Sequence, residues 1–343
     1  MRPKEVLLTF DYELFLGTKS GTVENCLIKP TQLVLEILKT YQATSVFFVD
    51  TLYLYRLEQE NSAQCKSDLK LIYKQLETIV DQGHTVGIHI HPHWLDASYN
   101  NQLNNWNGEN KTRFALANLN LEEINNVVAN SVRILQPFLD RDHDLTYRAG
   151  GFYCQPFSLF APIFQDHKIL IDFSVMREYR STGFQGLYSF DFSNPPSKFI
   201  YRFNDNPLQI DDSGAFTEIS VNSFQLKGIS KIRNSIYYRR NKEKPNFKRM
   251  GDGSGSGNII AHKNKGLLNQ YLLNDQTFSV ELLNPELARA YTKFFHSNPF
   301  IHFVSHPKLF TQNGLDGLDS FLASIIKENP LFDYKAIIKN NLP

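Results

Sequence analysis

Short apolar, β-branched runs alternate with amphipathic stretches along most of this chain, the rhythm expected of strand and helix units that feed a parallel sheet or barrel. Residues 6–10 form the first apolar run and are predicted to be a strand. Leu33, Val34, Ile37, Leu38 and Tyr41 then fall on one helical stripe, and 43–49 follows as a buried second strand. A second helix is predicted over 67–82, where Leu69, Ile72, Tyr73, Leu76, Ile79 and Val80 recur at helical spacing and Gly83 supplies the stop. It delivers a third strand over 85–90.

Asn120, two early glutamates and a stripe through Ile124, Val127, Val128 and Leu135 have the form of a capped helix. Tyr147 and Arg148 stand at the next strand end. A helix is predicted over 157–165 behind Pro156, then the apolar run 169–175. From about 180 to 275 the rhythm is lost, and this stretch is expected to be a long insertion. Its glycine-rich piece GDGSGSG, 251–257, is too rich in Gly and Ser to hold a fixed conformation cheaply and is expected to be a mobile loop. The rhythm resumes with a helix after Pro285, a strand over 300–305 and a helix near 316–327. No fixed-period repeat is present, so the simplest organisation is one domain over 1–343, decorated on one face by the insertion.

Composition narrows the function. A chain of 343 residues with 42% hydrophobic content can bury a sizeable core. Thirty-six basic residues against 35 acidic ones give a formal charge of +1, which removes the electrostatic case for nucleic acid or anionic lipid as the main partner. Three cysteines, Cys26, Cys65 and Cys154, form no Cys-x-x-Cys pair and fit a reducing compartment. No apolar run approaches membrane-spanning length, and the first residues lack the features of a secretion signal, so a cytoplasmic location is expected.

Two segments carry candidate chemistry. In GHTVGIHIHPHW, 83–94, three histidines follow an apolar strand at alternate positions. His89 and His93 can converge on one cation if the chain folds back after the strand, with His91 either joining them or supporting a neighbour. In LLTFDYELF, 7–15, a hydrophobic strand ends in Asp11, Tyr12 and Glu13. Carboxylates at i and i+2 share one side of an extended segment, one suited to hold metal and the other to act as base.

Together these segments resemble the polysaccharide deacetylase family, also called the NodB-homology or carbohydrate esterase family 4 group, and within it a divergent Asp-x-Glu subgroup linked to surface polysaccharide biosynthesis. TFDYE at 9–13 resembles the first motif and SVFFV at 45–49 the usual second strand. HIHPH at 89–93 resembles the His-Ser/Thr-x-x-His motif. YRAGGF at 147–152 is similar to the Arg-x-Pro-x-Gly motif, IDFSV at 171–175 to the fourth motif and FVSHP at 303–307 to the last.

The resemblance implies an α/β fold, a distorted (β/α) barrel of the NodB-homology type with a long insertion. It implies a hydrolase that removes an N-acetyl group from an amino sugar in a glycan or glycan precursor. Asp11 would be the base, Arg148 its orienting partner, His306 the general acid and Asp172 the acidic support of the machinery, specifically as the neighbour that favours a charged His306. Glu13, His89 and His93 would bind a divalent metal, zinc first, with cobalt, nickel or manganese as alternatives. Trp94, Tyr153 and Tyr12 are candidates for sugar contact.

The chain departs from the pattern at Tyr12, where an Asp is usual, at Ile90, and at Gly150, where the third motif has proline. Those departures leave two other readings standing: a catalytically silent glycan-binding barrel, and an amidase for a small non-sugar amide.

Overall fold

A computed structural model describes residues 3–139, 143–183, 186–226, 228–255, 275–281 and 283–342. In chain order the first half contains β1 (Glu5–Tyr12), α1 (Lys29–Thr40), β2 (Val46–Asp50), α2 (Thr51–Glu60), α3 (Ala63–Asp81), β3 (Thr85–Ile90), the hairpin β4 (Ser98–Asn100) and β5 (Asn105–Asn107), and α4 (Leu121–Leu135). The second half contains β6 (Leu145–Ala149), α5 (Ala161–Asp166), β7 (Ile169–Asp172), the pair β8 (Arg180–Ser181) and β9 (Phe190–Asp191), β10 (Ile200–Phe203), β11 (Phe216–Ile219), β12 (Ser223–Gln225), α6 (Gly228–Asn241), β13 (Asp275–Thr277) and β14 (Phe300–Ser305). Three further α-helices among the described residues are Pro285–Ser297, Gln312–Ile325 and Tyr334–Asn341.

Eight strands form one curled sheet in the order β10-β11-β7-β6-β3-β2-β1-β14, all parallel to their neighbours except the edge strand β10. This is the α/β half-barrel expected from the alternating pattern. Hydrogen bonds join β14 to the segment that follows β11: the His302 backbone N–H donates to Asn222 Oδ1 at 2.7 Å, and His302 Nδ1–H donates to the Ser220 carbonyl at 3.1 Å.

Alternation along each strand splits the core in two. Outward residues such as Val6, Leu8, Phe10, Phe47 and Val49 pack beneath the helices. Inward residues Leu7, Val46, Phe48, Ile171, Phe173, Ile219 and Phe300 fill the concave side, where Tyr334 and Ile337 of the last helix join them. Each fully buried side chain of this kind stabilises the fold by about 1.5–3 kcal/mol. Local signals act as the sequence indicates at α4, where Asn120 Oδ1 accepts from Glu123 N at 3.0 Å and Glu123 Oε2 accepts from Asn120 N at 2.9 Å, a reciprocal cap worth about 1 kcal/mol.

Three features differ from the sequence reading. Helix α2 was not anticipated; it buries Thr51, Leu52, Tyr53, Leu54 and Leu57. The supposed insertion contributes β10 and β11 to the main sheet, so the architecture does not pause at 180. The glycine-rich segment, in its described part 251–255, is closely packed rather than free. Asp252 accepts from Thr22 N and Asn25 Nδ2 at 2.8 and 2.9 Å, and Gly251 N donates to the Lys308 carbonyl at 3.1 Å. Positions 256 and 257 lie outside the described residues. Cys26, Cys65 and Cys154 are free and buried. Among the described residues no helix is long and apolar enough to cross a membrane.

Candidate metal centre with its acid and base

Toward the C-terminal end of each central strand the inward column turns from apolar to polar. It runs Leu7, Thr9, Asp11 on β1 and Val46, Phe48, Asp50 on β2, and β14 adds His302 between Phe300 and Val304. In a parallel barrel this is the end at which loops gather an active site. Asp11, Glu13, His89 and His91 have side chains at most 5% exposed, whereas His306 is 26% exposed. Solvent therefore reaches the group past His306.

Glu13, His89 and His91 each offer one donor atom, and the three atoms lie within 4.8 Å of one another. Glu13 Oε2 is 3.4 Å from His89 Nε2 and 2.6 Å from His91 Nε2. His89 Nδ1–H donates to the Arg148 carbonyl at 2.8 Å, which fixes the tautomer that leaves Nε2 with a free lone pair. Glu13 Oε2 and His91 Nε2 are buried and close, yet make no hydrogen bond of acceptable geometry. Their lone pairs converge on shared space, and one carboxylate with two imidazoles is a donor set suited to a divalent cation such as zinc.

Electrostatics point the same way. Burial would raise the Glu13 pKa, but Lys308 and His91 outweigh it and hold the carboxyl well below its ordinary range. Burial would lower the His89 pKa, yet Asp11 and Glu13 leave it raised. A field that favours a proton on His89 also favours a metal cation.

The gathered set differs from the Glu13, His89 and His93 expected from the motif. His89 and His91 stand at i and i+2, so they share a face of the extended chain. Pro92 then opens the 3-10 turn Pro92–Asp96, and His93 falls outside the gathered donor set although its ring lies 5.5 Å from that of His91, centroid to centroid. Its ring packs 5.0 Å from Trp94 and 5.7 Å from Phe114, centroid to centroid, and neither nitrogen has a hydrogen-bond partner among the described residues. Burial, then the proximity of His91, holds the His93 pKa well below its usual value. Gly150, where the resembling motif has proline, has a steric reason: a Cβ there would lie 2.5 Å from the Ile90 carbonyl oxygen and 2.6 Å from His91 Nδ1. The backbone passes directly against the His91 ring.

Asp11 is held from behind. Arg148 Nη1 donates to Asp11 Oδ1 at 2.6 Å, and its Nη2 donates to Thr9 Oγ1 at 2.8 Å. The fully buried guanidinium also lies 4.2 Å over the Phe48 ring. Burial would raise the Asp11 pKa, but Arg148, His89 and His306 together lower it, so Asp11 is ionised at neutral pH. Its second oxygen, Oδ2, is 3.7 Å from His306 Nε2. His302, behind Arg148, is pushed down to about 3 by burial and by the guanidinium, and stays neutral.

His306 does not have Asp172 as its carboxylate neighbour. Its Nδ1 is 3.7 Å from Glu281 Oε1, and its Nε2 is 3.6 Å from Glu13 Oε1. Burial disfavours the imidazolium, but Glu281, Asp11 and Glu13 outweigh it and raise the pKa. Asp172 accepts instead from Ser174 Oγ at 2.5 Å and faces Glu218 across the ladder between β7 and β11. Burial raises the pKa of both carboxyls. Glu281 lies in a segment that no motif marks.

The aromatic candidates for sugar contact are all buried. Trp94 donates its indole N–H to Asp50 Oδ2 at 2.5 Å. Tyr12 points to the opposite side of β1 from Asp11 and Glu13 and donates to Gln75 Oε1 at 2.8 Å. Tyr153 shares a hydrogen bond with Ser181 at 2.8 Å. Strand alternation accounts for Tyr12, and the turn after Pro92 directs Trp94 beneath the surface.

No family model matches the sequence, and no curated protein matches it. Solved structures do match. One is titled "Crystal structure of putative polysaccharide deacetylase from Mycobacterium smegmatis"; it is 13% identical, with 99% of this chain and 91% of that chain covered and a TM-score of 0.50. At that identity the likeness is one of fold.

Proposed function

We propose that the chain is a metal-dependent hydrolase that removes an N-acyl group, most simply N-acetyl, from an amino sugar of a glycan or glycan precursor, working as one domain over 1–343. The observation that carries this reading is the convergence of Glu13 Oε2, His89 Nε2 and His91 Nε2 beside an Arg148-held Asp11 and a half-open His306. A divalent cation at those three atoms, zinc by preference, would polarise an amide carbonyl and acidify a water.

The chain's own groups divide the proton work. Arg148 engages Asp11 Oδ1 and leaves Oδ2 to take a proton from the attacking water. His306, whose pKa its carboxylate neighbours raise, hands a proton to the departing nitrogen as the carbon–nitrogen bond breaks. Base and acid stand 3.7 Å apart, close enough to serve the same bond. Both steps fit amide hydrolysis better than binding alone. A precursor of surface polysaccharide, nucleotide- or lipid-linked, is the preferred substrate class.

Exhaustive chelation is expected to abolish acetate release from N-acetylated sugars, and zinc or cobalt to restore it. The assay runs a panel of N-acetylated glycans beside purine-derived amides. Activity that survives chelation would refute the metal role, bound metal without acetate release would indicate a silent barrel, and turnover of the amides alone would move the substrate class.

The pH profile tests the acid. Removing the Glu281 charge takes away a group that raises the His306 pKa, so in Glu281→Gln the alkaline limb of kcat should move to lower pH by about one unit. In Asp172→Asn that limb should stay where it is. A shift in the second variant and none in the first would return the role to Asp172.

A further inference from the structure

Lys308 is a buried ammonium at the centre, and neither the motifs nor the proton steps above use it. Its position follows from sheet register. Phe10 on β1 is paired with Ser305 on β14, so Glu13 and Lys308, each three residues further on, emerge side by side. Lys308 Nζ donates to Glu13 Oε1 at 2.7 Å and to the Leu14 carbonyl at 2.7 Å, and it lies 5.3 Å over the Phe15 ring. Its backbone carbonyl is itself held by Gly251 N–H.

We propose that Lys308 is a positioning residue that makes Glu13 a one-oxygen metal ligand. A carboxylate can grip a cation through one oxygen or through both. Here the charge-assisted bond to Lys308 occupies Oε1, and only Oε2 faces His89 and His91. Three single-atom donors leave coordination positions free for water and for a carbonyl, whereas a two-oxygen grip would fill one of them. The second bond, to the Leu14 carbonyl, prevents the ammonium from following Glu13 inward. The proposal rests on the metal-hydrolase reading and extends it to how the site stays open.

Cobalt-loaded protein tests it, because the visible bands of cobalt(II) weaken as the coordination number rises. Lys308→Met is expected to keep cobalt, to show weakened bands, and to lose acetate release by about 10–100-fold, the cost typical of removing an outer partner of a metal ligand. Lys308→Arg, which can still donate to Oε1, should return the bands toward the wild-type intensity. Bands and cobalt affinity unchanged in Lys308→Met would overturn the role, since a mere counter-ion would alter melting temperature and leave coordination alone. If Lys308→Met fails to fold by circular dichroism, Lys308→Gln is read by the same two criteria. Wild-type protein that takes up no cobalt would remove the metal reading itself, an outcome distinct from normal uptake with indifferent variants.

Discussion

Asp11→Asn is expected to lower acetate release by about 10²–10⁴-fold, the range for loss of a general base, while metal content stays at the wild-type level. Asparagine keeps the oxygen that Arg148 grips, so the local shape survives. What is lost is the acceptor at Oδ2, which faces the half-open side next to His306. The proposed metal donors are Glu13, His89 and His91, and none of them depends on a proton at Asp11. Elemental analysis and acetate release on the same sample check both halves of the expectation. Normal turnover in that variant would remove Asp11 from the chemistry.

The second large effect separates two histidines that the sequence alone ranks the other way. His91→Ala should reduce zinc affinity by more than the ~100-fold typical of losing a supporting partner, because a donor atom goes with it. His93→Ala should retain zinc at full stoichiometry, since its ring packs on Trp94 and Phe114 and its nitrogens are not among the donor atoms gathered within 4.8 Å. A buried ring removed from such contacts costs stability, so the second variant should melt lower while still binding metal. Equilibrium dialysis against a zinc chelator, with a thermal melt alongside, gives both numbers. Zinc lost from His93→Ala and kept by His91→Ala would restore the motif-based ligand set.

The difference between those histidines shows how far a pattern reaches. The central strands were legible because apolar runs such as 6–10 and 85–90 have no other use, and α4 was legible because Asn120 and Glu123 cap it. Asp11 and Glu13 on one face of β1, with Tyr12 on the other, follow from alternation alone. The motif spacing points to His93 as the second imidazole, whereas the geometry of the strand pairs His89 with His91 before Pro92 bends the chain.

Other elements were hidden for physical reasons. Helix α2 carries Leu52, Tyr53 and Leu54 in a row, a buried run whose period is ambiguous over so short a span. Strands β10 and β11 have four residues each, too few for alternation to stand out from a loop. Glu281 and Lys308 reach the site only through tertiary packing. A carboxylate and an ammonium 27 residues apart, both ordinary in composition, give no sign in the sequence that they border one imidazole and one carboxylate.

The pairing of β1 with β14 also sets when the centre can exist. Asp11 and Glu13 stand at the end of the first strand of the sheet to be made, but His306 and Lys308 come from the loop after the last. Until translation passes residue 308, Glu13 has no ammonium beside it and β1 lacks one of its two neighbours. A nascent chain thus holds Glu13 without its counter-charge until β14 has been made, whereas Asp11 gains Arg148 much earlier, and any fragment cut before β14 inherits the Glu13 deficit permanently.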